Sequence, residues 1–245
     1  MHAHVVLTSG DLSPDSLRGQ SAVVIDVFRA STTIVTALAN GCRLVIPVLT
    51  AEAARGRAND FPRGEVLLGG ERGGEPIAGF HLGNSPLEYT PERVRDRIVI
   101  FTTTNGTQAL AAASMAAATA VGGLVNLEAV AAWVMAEGRD LTLVCSGESG
   151  TLSLEDTVCA GLLLEALTDR GARLELSDAA RACRLVAVDY RHQLGRLLTD
   201  SAWARELVRR GRGPDLAPCL ALSVYPDVPV LEHGVVTRSA GEQPR

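Results

Sequence analysis

The sequence predicts an α/β protein in which a parallel or mixed sheet is covered by helices on both faces. Short β-branched runs alternate along the chain with helical stretches, and apolar residues make up 47% of it while only 4% are aromatic. Ala, Val and Leu dominate, which suits close packing of helices on a sheet better than an aromatic ligand groove.

Val23-Val24-Ile25 reads as a buried strand and Leu44–Val48 as the next. Between them Thr32–Ala39 reads as a helix that stops at Asn40-Gly41, a C-terminal signal. Arg97–Phe101 is a further strand, followed by Thr107–Ala117 as helix and Ala120-Val121 as a short strand. Leu141–Cys145 is another clear strand, and Leu154–Arg170, closed by Gly171, is the longest helix. Val23–Val48 and Ile98–Gly123 share one plan without gaps: strand, Ser/Thr-rich loop, Ala-rich helix, strand. Either an internal duplication of a βαβ unit or the common look of any βα unit accounts for it. Leu49–Glu92, rich in Gly and Pro, reads as a long irregular loop with one strand at Glu65–Leu68, and such loops usually build a site. Asp189–Pro218 alternates charges and apolar residues as one or two surface helices. Leu220–Val224 and Val228–Val236 read as strands. The 245 residues form one domain over 1–238, as two intimately packed halves or as one unit, with a polar tail at 239–245.

The net charge is −5, which argues against nucleic-acid binding. All 23 basic residues are Arg, so no lysine Schiff base and no P-loop lysine exists. Anion recognition must come from Arg, a metal ion or helix N-termini. The five cysteines are odd in number and contain no CxxC pair, so they read as small buried hydrophobes of a reducing cytosol. The N-terminus lacks the basic start and long apolar run of a signal peptide, and Ala109–Gly123 is too short for a membrane span. A cytoplasmic chain that does not bind membranes is expected, its acidic surface and apolar content being compatible with a homodimer.

In an open α/β sheet, ligands bind beyond the carboxyl ends of the strands. Three polar loops leave strands there. Asp26 directly follows a strand, with Arg29, Ser31, Thr32 and Thr33 behind it; capping alone explains Ser31 but not Asp26 with Arg29. Thr102-Thr103-Thr104-Asn105-Gly106-Thr107 opens a helix with hydroxyls and a permissive Gly, which suits a phosphate, although such loops also simply cap helices. Ser146-Gly147-Glu148-Ser149 leads to Ser153 and Asp156, which have capping-box spacing. The glycine-rich insertion adds Glu71 and Arg72 between two glycine pairs, then Asn84 and Ser85. None of the five histidines has triad or metal-pair spacing. The set suits a hard cation on oxygen ligands and an anionic substrate.

Asp26–Thr33, Gly69–Gly74 with Gly79-Phe80 and Gly83–Pro86, Thr102–Thr107, and Ser153–Asp156 with Ala160-Gly161 together resemble the 2-phosphosulfolactate phosphatase family. Val228-Pro229-Val230 followed by Gly234 is also similar, so the resemblance spans Val23 to Val236. It implies a three-layer α/β/α fold and a Mg²⁺-dependent phosphatase releasing phosphate from 2-phospho-3-sulfolactate, a step of coenzyme M biosynthesis in methanogens. Ser146-Gly147-Glu148 departs from the expected Cys/Ala-Gly pair.

On that basis Asp26, Arg29, Glu71 and Arg72 are the expected catalytic residues, with Asp26 and Glu71 on Mg²⁺. Ser31, Thr32, Thr104, Asn105, Gly106 and Thr107 are expected to bind phosphate, and Asn84, Ser85, Ser146 and Ser149 the rest of the substrate. Two other readings stay open: a phosphatase for another small phosphorylated acid or sugar, and a non-catalytic anion-binding protein on the same scaffold.

Overall fold

A computed structural model describes residues 1–239. One mixed sheet of eleven strands runs through them. Its strands in chain order are β1 (His2–Val6), β2 (Ser21–Ile25), β3 (Leu44–Pro47), β4 (Val66–Arg72), β5 (Glu75–Pro76) and β6 (Ile98–Thr102). Then come β7 (Ala118–Gly122), β8 (Leu141–Cys145), β9 (Glu175–Leu176), β10 (Pro229–Glu232) and β11 (Val235–Arg238). The helices are α1 (Ala30–Ala39), α2 (Ala51–Ala58), α3 (Pro91–Val94), α4 (Gly106–Ala113) and α5 (Leu127–Glu137). They continue as α6 (Leu154–Asp169), α7 (Asp178–Tyr190), α8 (Leu197–Asp200), α9 (Ala202–Arg209) and α10 (Leu216–Cys219).

Alternation along the strands makes the three layers, because successive side chains leave opposite faces. Val23 and Ile25 of β2 pack with α5, α6 and α7 on one face. Ala22 and Val24 pack with α1 and α4 on the other. Ile46, Ile98 and Ile100 gather α2 at the far end. All five cysteines are buried and free.

The sheet order is β5-β4-β6-β3-β11-β10-β7-β2-β8-β1-β9. Apart from the two-residue edge strand β5, which is antiparallel to β4, parallel strands fill both halves, and the antiparallel hairpin β10–β11 sits between them. The hairpin meets each half through one paired position, Val230 with Ala120 and Val236 with Val45. Each of the two similar βαβ units starts in one half and ends in the other: β2 crosses through α1 to β3, and β6 crosses back through α4 to β7. The starts of α1 and α4 therefore meet at the centre, although β2 and β6 lie far apart in strand order.

Several expectations need correction. Leu49–Glu92 is more regular than expected: it holds α2, capped by Thr50, and the strand expected at Glu65–Leu68 is the longer β4, which pairs in parallel with β6. Leu220–Val224 is not a strand; the N–H groups of Ser223 and Tyr225 donate to Leu124 and Val125 carbonyls of a 3₁₀ turn instead. The Asp189–Pro218 stretch holds α8, α9, the start of α10 and two 3₁₀ turns, and α9 buries Ala204 and Leu207 in the core. Strand β1 and helices α5 and α7 had no counterpart in the sequence reading. Of the tail, Ser239 alone lies within the described residues.

Candidate active site

Asp26 leaves the carboxyl end of β2 and begins the turn into α1. Its Oδ1 accepts the Ala30 N–H (3.1 Å), and its own N–H donates to Ser31 Oγ (2.9 Å). Ser31 is thus spent on the helix start, and Thr32 Oγ1 donates to the Val27 carbonyl. Oδ2 of Asp26 is left pointing at Gly106, where a Cβ would lie 2.8 Å from it and 2.7 Å from Ala30 Cβ. Only glycine lets the two helix starts approach so closely. Gly106→Ala is expected to cost roughly 1–3 kcal/mol, read as a lowered urea midpoint. An unchanged midpoint would show that the two starts can separate freely.

From β6, Thr103 and Thr107 bond one another: the Thr107 N–H donates to Thr103 Oγ1 (3.1 Å) and the Thr107 hydroxyl to the Thr103 carbonyl (2.9 Å). Thr103 thus caps the Thr107 N–H, and the Thr107 hydroxyl is spent on the same turn. Neither the Asn105 nor the Gly106 N–H has an acceptor among the described residues. Glu71, at the end of β4, accepts the N–H groups of Thr104 (2.7 Å) and Gly74 (2.5 Å) and the Thr104 hydroxyl (3.1 Å). The loop after β8 brings Glu148, whose Oε2 accepts from Asn105 Nδ2 (3.0 Å).

These segments line one small cavity of about 30 Å³, open to solvent and walled by Asp26, Arg29, Glu71, Asn84, Thr104 and Asn105, together with Phe28, Gly73, Gly74, Glu148 and Trp203. The other expected residues do not line it. Arg72 follows Glu71 on a strand, so its side chain leaves the opposite face. There it donates to Thr102 Oγ1 (2.6 Å) and to the carbonyls of Leu49 and Glu71. Ser85 donates to Asp215 (2.6 Å), and Ser149 sits on an exposed turn bonded to Glu148. Ser146 Oγ is buried without a partner. Ser31, Thr32, Gly106 and Thr107 form the framework behind the wall, and Ser153 caps α6 through the Asp156 N–H as its spacing predicts.

Sequence reading missed two contributors, Trp203 and Asp215, and gave a third, Asp156, only a place in a capping box. Trp203 of α9 forms one wall and donates Nε1–H to the Phe28 carbonyl (2.9 Å). Asp215 pairs with Arg29 at 2.5 Å, both nearly fully buried, while Arg29 Nη2 donates to the Gly74 carbonyl. Asp156 accepts the N–H groups of Val27 (2.8 Å) and Gly147 (3.3 Å), which ties the β2 and β8 exits together. A Pro-Asp turn and one of only two Trp residues were the available signals, within a stretch that read as surface helix.

The electrostatics are one-sided. Burial raises the Asp26 carboxyl to about 7, against the pull of the Ala30 N–H, and Glu71, Glu155 and Glu148 add to the rise. Burial likewise raises Glu148, Glu155 and Asp156, with neighbouring carboxylates contributing to each. The one guanidinium in the cavity wall, Arg29, is matched by Asp215. The donor set facing the cavity is therefore all oxygen, negatively charged and short of a cation. Among the described residues no three His, Cys, Asp or Glu side chains form a metal cage by themselves. One or two carboxylates completed by waters and substrate oxygens is the pattern of Mg²⁺, so the residues present fit that ion.

Comparison with known proteins places this arrangement. A family model described as 2-phosphosulpholactate phosphatase matches residues 7–234. A protein of Symbiobacterium thermophilum named probable 2-phosphosulfolactate phosphatase is 43% identical over 222 residues, 91% of this chain and 95% of that protein. Proteins of the same name from Caldanaerobacter subterraneus subsp. tengcongensis and Clostridium beijerinckii are 37% and 34% identical. The alignments cover 95% and 97% of this chain and 96% and 99% of those proteins.

Proposed function

The chain belongs to the 2-phosphosulpholactate phosphatase family, a family of phosphoric monoester hydrolases, and from that premise we propose that it hydrolyses 2-phospho-3-sulfolactate to sulfolactate and inorganic phosphate with Mg²⁺ as cofactor. One observation carries the metal-dependent reading: Asp26, Glu71 and Glu148 line a single cavity whose only guanidinium is already paired. An anionic phosphoester entering that cavity unaccompanied would be repelled, so a divalent cation must enter with it.

Asp26, with Glu71, would hold the ion, which supplies Lewis acidity to the phosphoryl oxygens when bound. The chain's own groups do the rest. The free N–H of Asn105, a cavity-wall residue at the start of α4, would meet phosphoryl charge as it grows. Asn84, with an unpartnered buried Oδ1, can accept a hydrogen bond from the ligand side. Asp26 Oδ1 is fixed by Ala30, so Oδ2 is the oxygen left to attack phosphorus or to take a proton from an attacking water. In the first route the ester P–O bond breaks as the Asp26 acyl phosphate forms, the sulfolactate oxygen takes its proton from solvent, and a water then cleaves the acyl phosphate to release inorganic phosphate. In the second, the attacking water's oxygen joins phosphorus as the ester P–O bond breaks, and the proton taken by Asp26 passes to the sulfolactate oxygen. Acid quenching during turnover distinguishes the routes, since only the first leaves a phosphorylated chain.

Phosphate release from 2-phospho-3-sulfolactate is expected to fall to background with a chelator and to return with Mg²⁺. At about 100 times its dissociation constant the ion should also add roughly 2.7 kcal/mol of stability, visible as a raised melting temperature. Full activity in chelator-treated protein rejects the metal assignment, and no release from any small phospho-acid rejects the hydrolase. No helix among the described residues is long and apolar enough to cross a membrane.

A further inference from the structure

We infer that Arg210, over the Trp203 ring beside the cavity, receives a second anionic group of the substrate and so sets the preference for phosphoesters that carry an additional carboxylate or sulfonate. The inference rests on the function proposed above and adds the residue that reads the substrate's other end.

The interior of the cavity cannot take a second anion. Its walls hold Asp26, Glu71 and Glu148, and Arg29 is committed to Asp215 and to the Gly74 carbonyl. Whatever charge the substrate carries beyond its phosphate must lie toward solvent. Arg210 stands there. Its guanidinium carbon lies 5.7 Å from the centre of the Trp203 ring, and Trp203 is itself a cavity wall. Nη1 donates to the carbonyl of Gly73, on the turn that forms another part of the wall. The side chain is about one-third exposed, at 34%, and its charge is felt at Glu148.

Two acids hold it in place. Glu206, one helical turn earlier, accepts from Nε at 2.6 Å, and Glu75 lies 3.8 Å from Nη1. Nη2 has no acceptor among the described residues. A guanidinium within cation–π reach of an indole, oriented by two carboxylates and keeping one amino group free, is prepared for an oxyanion. The nearby arginines do not compete: Arg72 is spent on carbonyls behind the sheet, and Arg212 pairs with Glu75.

The test measures kcat/KM of the full chain for 2-phospho-3-sulfolactate and for an uncharged-alcohol ester such as phenyl phosphate. Arg210→Gln is expected to lower the ratio of the two values about 20-fold, mostly through KM for the sulfonated ester, consistent with loss of a charge-assisted contact. Arg212→Gln, which removes a neighbouring charge of the same sign, should leave the ratio as in wild type. Equal losses on both esters, or an unchanged ratio, overturn the assignment. If Arg210→Gln loses its thermal transition, Arg210→Lys decides: a raised KM for the sulfonated ester alone supports the role, and no rise overturns it. Wild-type protein that hydrolyses neither ester rejects the function itself and the inference with it.

Discussion

Asp26→Asn is expected to abolish phosphate release, lowering kcat by about 10³-fold or more, while the metal-free protein becomes more stable above neutral pH. In the reaction proposed above, catalysis needs the charged carboxylate, as nucleophile, base or metal ligand. Stability does not. The substitution keeps an oxygen for the Ala30 N–H, which Oδ1 already accepts at 3.1 Å. What it removes is a carboxyl raised from 3.8 to about 7 by burial and by the surrounding acids. The folded protein holds that proton more tightly than the unfolded chain. Its contribution is fully present below pH 3.8 and is lost as pH rises through about 7. At about pH 8 the metal-free wild type therefore carries a buried anion at a cost of roughly 2–4 kcal/mol, the lower end applying because Asp26 opens onto the cavity. Melting curves should show the Asn variant gaining on wild type between about pH 4 and pH 8, with added Mg²⁺ narrowing the gap. A gap independent of pH, or substantial Mg²⁺-dependent turnover by the variant, would remove Asp26 from the centre of the site.

Asp215→Ala is expected to be the most destabilising single change near the cavity, by roughly 3–5 kcal/mol. Arg29 is 3% exposed and its Nε already lacks a partner. Removing Asp215 leaves that guanidinium with the Gly74 carbonyl alone, and strips Ser85 of its acceptor as well. A buried charge without its counter-charge costs more than the pair contributes, so the double variant Arg29→Met/Asp215→Leu should recover much of the stability. It should not recover turnover, because the Arg29 and Gly74 wall of the cavity would be lost. Urea midpoints and phosphate release on the three variants separate the two effects. A loss under about 1 kcal/mol in Asp215→Ala would mean that Arg29 finds water or another acid once Asp215 is gone.

Much of the framework was legible because it is local. The runs at Val23, Leu44, Arg97 and Leu141 became β2, β3, β6 and β8, and Asn40-Gly41 and Gly171 closed α1 and α6 as expected. Capping by Ser153 was readable because it depends on three consecutive positions. The misses have physical causes. Glycines hid the second half of β4, which runs past the expected Glu65–Leu68 through Gly69-Gly70 to Arg72 and is held there by its ladder to β6 and not by propensity. Glu71 and Arg72 looked like a working pair because they are adjacent, yet adjacency on a strand is what separates them: one faces the cavity and the other the back of the sheet.

By itself, then, the sequence determined the alternation of strands and helices, the polar character of each strand exit, and a chemistry confined to carboxylates, hydroxyls, amides and arginine. Only the tertiary structure decided which of those groups face one another. Arg29 meets Asp215 across 186 residues of chain, and α1 meets α4 because two βαβ units exchange halves of one sheet. Hydrophobic period and caps are written within a few neighbouring residues, whereas the meeting of distant carboxylates, an indole and a guanidinium is a product of packing.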